Sequence, residues 1–196
     1  MRKIFSRKIT IFTYLLLTAL IFASCQGSSV KPSEETKALS FNEAVMQYLG
    51  DYCYTGDEAA FVYEAVEGDV DENGDQFYGI QYREIKDLPA LLQQKDFPVL
   101  IYFYSSQMSD TGGMTAGAED LAQTLSGRVL TISVDALSHK DIAGRYEIVG
   151  LPEFVLLENG TLKSVFESSE RSYWNMNDVV EWITSCGYAP DTGKLV

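Results

Sequence analysis

Between Pro98 and Ser105 the chain reads Val99-Leu100-Ile101-Tyr102-Phe103-Tyr104, with no charge and no breaker. An apolar run of that length is a strand buried on both faces, and burying both faces requires helices above and below a sheet. Residues 128–134 read as a second buried strand and end at Asp135, and residues 118–125 between the two carry helical spacing. Two buried strands joined by a helix-length crossover make a parallel pair, which confines the chain to the α/β classes.

The flanking segments extend this unit. Residues 138–146 read as a helix with Ser138 at its cap. Residues 153–157 and 162–166 are apolar strands separated by Glu158-Asn159-Gly160-Thr161, and Asn-Gly between such strands is a hairpin signal. Residues 177–185 are an amphipathic helix, with Val179, Val180, Trp182 and Ile183 toward the core. Upstream, residues 76–85 alternate as a strand and residues 88–94 form a short helix. From residue 76 the order β-α-β-α-β-α-β-β-α predicts a three-layer α/β/α sandwich whose parallel strands are followed by an antiparallel hairpin. Residues 41–52 have helical spacing, with Ser40 and Glu43 placed as a capping box. Residues 57–66 fit either a helix or a strand beginning at Phe61.

The first 24 residues carry Arg2, Lys3, Arg7 and Lys8 but no acid, then an apolar run over residues 9–22 and the small pair Ala23-Ser24. That run is short of the roughly 20 residues a membrane-spanning helix needs and fits a signal-peptide core. Phe22-Ala23-Ser24-Cys25 resembles the lipobox of bacterial lipoproteins, with Phe22 where Leu is usual. The resemblance implies that Cys25 is lipidated on its sulfur and becomes the mature N-terminus. It implies a protein facing the periplasm, and Gln26 resembles the residue that follows the cysteine in lipoproteins sorted to the outer membrane of Gram-negative bacteria. Residues 25–39 are polar and read as a flexible tether, residues 40–80 as an N-terminal extension, and residues 81–190 as the main domain.

The formal charge is −13, and between residues 38 and 82 there are ten Asp or Glu and no Lys or Arg. Such a surface repels nucleic acid. A single histidine, His139, argues against a His-based metal site and reads as a surface residue. With Cys25 assigned to lipid, Cys53 and Cys186 remain. They are either a long-range disulfide or two buried free thiols acting as small hydrophobes. No Cys-x-x-Cys occurs.

Three segments together resemble the thioredoxin fold. Pro98-Val99-Leu100-Ile101-Tyr102-Phe103-Tyr104 matches the strand that leads to the family's active-site helix. Ile132-Ser133-Val134-Asp135 with Ile142-Ala143-Gly144-Arg145-Tyr146 matches the next strand and helix. Val149-Gly150-Leu151-Pro152-Glu153-Phe154-Val155-Leu156-Leu157 with Asn159-Gly160 matches the loop and hairpin around the family's cis-proline. The family's redox chemistry needs a low-pKa thiolate at a helix N-terminus and a resolving thiol three residues on. The resemblance places Gln107 at the family's tryptophan, Met108 at the first cysteine, Thr111 at the second, and Tyr102 at the buried acid. A thioether and a hydroxyl form no disulfide. Gly112-Gly113 each cost about 1 kcal/mol within a helix, so the helix is expected to start near Met114 or Thr115.

The resemblance therefore implies a redox-inactive binding or assembly module that needs no cofactor. Its partner would be a protein or peptide in the cell envelope, held in a groove of Tyr104, Gln107, Met108, Thr111, Leu151 and Pro152, with the membrane reached through the lipid anchor. The alternative is a thiol–disulfide oxidoreductase relative using Cys53 and Cys186. Asp69, Asp71, Asn73 and Asp75 also alternate like the start of an EF-hand loop. Ile80 stands where its bidentate Glu belongs, so an acidic hairpin turn through Asn73-Gly74 is the plainer expectation. Tyr48, Tyr52, Tyr54 and Tyr63 read as core or interface aromatics.

Overall fold

In the computed structural model the described residues are 39–54, 58–74, 76–109 and 113–195. The leader over residues 1–24, Cys25, the tether as far as residue 38, Asp75 and Thr111 lie outside them. Among the described residues no helix is long and apolar enough to cross a membrane.

Leu39–Val196 forms one compact unit. Its elements are α1 (Phe41–Met46), β1 (Leu49–Cys53), β2 (Ala60–Val70), β3 (Gln76–Ile85), α2 (Leu88–Gln93), β4 (Val99–Tyr104), α3 (Met114–Leu125), β5 (Leu130–Asp135), α4 (Lys140–Arg145), β6 (Glu153–Glu158), β7 (Thr161–Val165) and α5 (Met176–Ser185). Seven strands form one mixed sheet in the order β1-β3-β2-β5-β4-β6-β7. The apolar runs sit where their composition demands: β4 and β5 are the central pair, parallel, from Val99↔Leu130 to Tyr104↔Asp135.

Each face of the sheet buries its own core. On one side α1, α2 and α4 cover Val62, Val99, Ile101, Phe103, Ile132, Val134, Val155 and Leu157. On the other, α3 and α5 cover Phe61, Tyr63, Leu100, Tyr102, Phe154, Leu156 and Phe166. Alternate residues of one strand thus serve opposite cores, which is why β4 carries no polar position. The expected three-layer α/β/α architecture is present.

Four local expectations change. Helix α1 ends at Met46 instead of running to Tyr52, and Leu49–Cys53 is a strand on the edge of β3. Gly50 explains the switch: a Cβ there would lie 2.7 Å from the Glu84 Cβ, so glycine lets β1 approach β3, whereas in a helix it would cost about 1 kcal/mol. Of the ambiguous residues 57–66, Asp57 lies outside the described residues and those from Ala60 onward belong to β2, which pairs antiparallel with β5 through Ala60↔Val134 to Tyr63↔Thr131. Consequently β3 does not join a run of parallel strands; it is antiparallel to both β1 and β2. Helix α4 takes His139 as its N-cap without a side-chain bond, because the Ser138 hydroxyl donates instead to Asp135 Oδ2 at 3.0 Å.

Candidate functional site

The parallel pair ends at Tyr104 and Asp135, side by side, and the chain leaves β4 through a tight turn. The Met108 N–H donates to the Ser105 carbonyl at 3.1 Å, and the Gln107 N–H donates to Ser105 Oγ at 3.2 Å. Asp135, 3% exposed, ties this turn down. Its carboxylate accepts from Ser106 Oγ at 2.7 Å, the Leu137 N–H at 2.9 Å and Ser138 Oγ. Burial pushes the Asp135 carboxyl upward, but the hydrogen bonds from Ser106, Leu137 and Ser138 outweigh it and leave the pKa below the ordinary value.

Opposite this turn the Leu151–Pro152 peptide bond is cis. Directly after it, Glu153 is buried and accepts three hydrogen bonds: from the Phe154 N–H at 3.0 Å, the Ser168 N–H at 2.9 Å and Ser168 Oγ at 3.0 Å. Here burial outweighs the bonds, and the carboxyl titrates above its usual range. The two buried carboxylates thus fasten the two walls of one groove: Asp135 holds the 105–109 turn, and Glu153 holds the Ser168–Glu170 turn.

The groove has two lobes that share Met114, Leu151 and Pro152. The smaller, about 50 Å³, is lined by Tyr102, Tyr104, Ser105, Met108, Ser109, Met114, Thr115, Leu151 and Pro152. The larger, about 320 Å³, lies beyond the proline and is lined by Met114, Gly150, Leu151, Pro152, Ser168, Ser169 and Trp174. Met108 is 53% exposed, and Val149 and Tyr173, next in sequence to lining residues, are 85% and 96% exposed. Beneath the small lobe Tyr102 stacks between Tyr104 at 6.0 Å and Phe154 at 5.1 Å. Burial, and then the Asp135 charge, raise the Tyr104 pKa.

The expected groove residues Tyr104, Met108, Leu151 and Pro152 converge on the small lobe. Gln107 does not: it is exposed and lies outside both linings, because the turn at Ser105 points it away. Met114, Trp174 and the Ser168-Ser169 pair were not readable as site residues, since their place depends on how α3 and the β7–α5 connection dock. The N-cap of α3 is Gly113 at φ +71°, with no side-chain cap bond, and α3 begins at Met114, as the two glycines predict.

Among the described residues no thiol lines the groove. Cys53 lies on edge strand β1 and Cys186 ends α5, and no disulfide joins them. The Trp182 indole N–H of α5 donates to Ser164 on β7 at 2.9 Å, so Cys186 belongs to the β6–β7 side of the sheet and Cys53 to the opposite edge. The oxidoreductase alternative therefore has two thiols that no disulfide joins in this structure.

The Asp71 segment forms the β2–β3 turn. Asp71 Oδ1 accepts from the Asn73 N–H at 2.8 Å and Oδ2 from Asn73 Nδ2 at 3.0 Å, with Gly74 at φ +89°. Asp71 thus directs both carboxylate oxygens into an Asx turn in which Asn73 is the donor. No cluster of three or more His, Cys, Asp or Glu suited to a metal ion occurs among the described residues.

Residues 81–183 match the thioredoxin family model, which is more than half of the chain. The chain belongs to the thioredoxin family. It is 30% identical over 79 residues to the chloroplastic thioredoxin Y2 of Arabidopsis thaliana, covering 40% of this chain and 47% of that protein. To thioredoxin 1 of Chlorobaculum tepidum it is 26% identical over 76 residues, covering 39% and 75%. The chain spans about half the length of the thioredoxins Y it matches. Among solved structures it resembles mitochondrial thioredoxin 3 of Saccharomyces cerevisiae, with 23% identity, 51% and 83% coverage and a TM-score of 0.38. It also resembles the oxidised thioredoxin of Plasmodium falciparum, with 15% identity, 54% and 94% coverage and a TM-score of 0.41.

Proposed function

We propose that this thioredoxin-family chain is a redox-inactive binding or assembly module, anchored by lipid on Cys25 and facing the periplasm of a Gram-negative envelope. Its groove holds an extended segment of a partner protein. The observation that carries the reading is the placement of Met108: an exposed thioether at the mouth of the cleft, opposite Leu151 and Pro152, where the family's chemistry calls for a thiolate. A thioether neither ionises nor forms a disulfide, so the site can exchange no electrons with a substrate thiol. What it offers is a flexible, polarizable apolar contact that adapts to irregular partners. Extended segments add to such surfaces through main-chain bonds, with side chains entering adjoining pockets. The larger lobe beside Trp174 is the pocket for one such side chain.

The test separates binding from turnover. The full chain should not accelerate dithiol-driven reduction of insulin, while a photocrosslinking residue at position 108 should capture an envelope protein. Affinity for that protein should fall about tenfold in Met108→Ala and in Leu151→Ala, the loss of a well-packed anchor. Insulin turnover that disappears in Cys53→Ser would overturn the reading in favour of the oxidoreductase, and unchanged affinity in both alanine variants would remove the groove from it.

A further inference from the structure

The outer side of β3 is only partly covered. Strand β1 pairs with it through Leu49↔Ile85, Tyr52↔Arg83 and Cys53↔Tyr82, whereas β2 follows the inner side as far as Val70↔Gln76. Among the described residues nothing pairs with the outer edge of residues 76–81, a length of roughly 20 Å at 3.4 Å per residue. Where β1 departs, a groove of about 490 Å³ opens along that edge, lined by Tyr52, Cys53, Tyr54, Ile80, Gln81 and Tyr82. Tyr54 is 80% exposed, Tyr52 63% and Phe77 42%.

Proteins normally blunt such an edge with lysine, proline or an inward-pointing charge. Gln76-Phe77-Tyr78-Gly79-Ile80-Gln81 has none of these. We propose that this edge is a second docking surface, and that its occupant is an extended, lysine- or arginine-rich segment of another protein that continues the line of β1 beside β3. Charge selects the occupant. The ribbon behind the edge carries Glu64, Glu67, Asp69, Asp71 and Glu72, and no cation lies between residues 38 and 82. The next cation in sequence is Arg83, which already pairs with Glu64 at 3.1 Å and lies over the Tyr52 ring at 4.4 Å, while Lys194, whose turn contacts β3, is held by Ser126. A second copy docking edge to edge would bring two such acidic ribbons together, whereas a cationic strand is attracted to both the ribbon and its exposed tyrosines. Main-chain hydrogen bonds provide the attachment and the aromatic groove provides the side-chain pocket.

The test uses the full chain and a synthetic peptide of about six residues alternating Lys with Val and Thr, a length matched to the edge. Saturable binding is expected, with slowed amide exchange confined to residues 76–81 and affinity falling about tenfold or more as salt is raised. The same peptide N-methylated at alternate residues should bind at least about tenfold more weakly, which tests main-chain pairing without altering the protein. Phe77→Lys and Gln81→Lys, both at exposed positions, should also weaken binding about tenfold. The proposal is overturned by absence of binding, by equal affinity for the Glu-for-Lys peptide, by insensitivity to N-methylation, or by unchanged exchange at residues 76–81. Self-association that protects residues 76–81 without peptide would assign the edge to a second copy and overturn it too.

Discussion

The two halves of the sheet follow different rules. From β5 through β4 to β6 nearly every residue is buried, because helices close both faces. Strand β2 shares that cover only as far as Tyr63, its last residue paired with β5. Beyond it, β2 and β3 continue as a two-stranded ribbon whose exposure rises toward Val70. In the covered half the strand sequence is dictated by two cores at once. In the ribbon only cross-strand pairing and the turn constrain the sequence, leaving it open to acidic residues and exposed aromatics. The covered half builds the proline groove; the uncovered half presents a surface that stability alone does not require.

The sharpest way to break that contrast is to truncate one phenylalanine in each half. Phe103 is fully buried, so Phe103→Ala should cost about 3–5 kcal/mol in urea unfolding. Phe77→Ala on the ribbon should stay within about 0.5 kcal/mol. Equal losses would mean that the ribbon is part of the core.

A smaller effect is expected at the groove wall. Glu153→Ala leaves the Ser168 and Phe154 N–H groups without their partner and should cost about 2–3 kcal/mol. The pH dependence has a definite sign. Because the folded carboxyl titrates above its ordinary value, its contribution to stability is complete below that ordinary value. The contribution is lost as pH rises through the raised one. Glu153→Gln should flatten this falling limb in unfolding curves taken across the acidic range. Asp135 has the opposite sign, its pKa being lowered, so its own contribution is lost as pH falls.

The smallest effect lies at the junction of the halves. The Tyr82 hydroxyl of β3 donates to Glu119 of α3 at 2.6 Å. Burial and this bond raise its pKa to about 12. Tyr82→Phe should cost about 0.5–1.5 kcal/mol and speed amide exchange in the ribbon more than in β4. Uniform exchange would show that this bond does not anchor the ribbon.

How much could be read from the chain follows the same division. The runs at β4 and β5 have one physical solution, so they were legible, as was the Asn159-Gly160 turn, which adopts φ +54° and +69°. The place of Leu151 and Pro152 opposite Met108 came from resemblance and is realised in the small lobe. Strand β1 was not legible, because Phe41, Ala44, Val45, Tyr48, Leu49 and Tyr52 satisfy a helical period and only tertiary pairing with β3 overrides it. The larger lobe was hidden for a related reason: Trp174 and Ser168 reach Leu151 only through the docking of a connection with no periodicity. Gly160 has a second constraint invisible in sequence, since a Cβ there would sit 2.5 Å from the Gln93 carbonyl oxygen.

The direction in which the ribbon leaves the sheet has a consequence for assembly. Strand β2 starts beside Val134 and runs down past Thr131, so its tip extends away from the end where Tyr104 and Asp135 meet. Occupants of the two proposed surfaces, one at the proline and one along the lower rim of β3, would therefore approach from opposite ends of the strands. With both in place, the chain would hold two bodies joined yet separated by its own length.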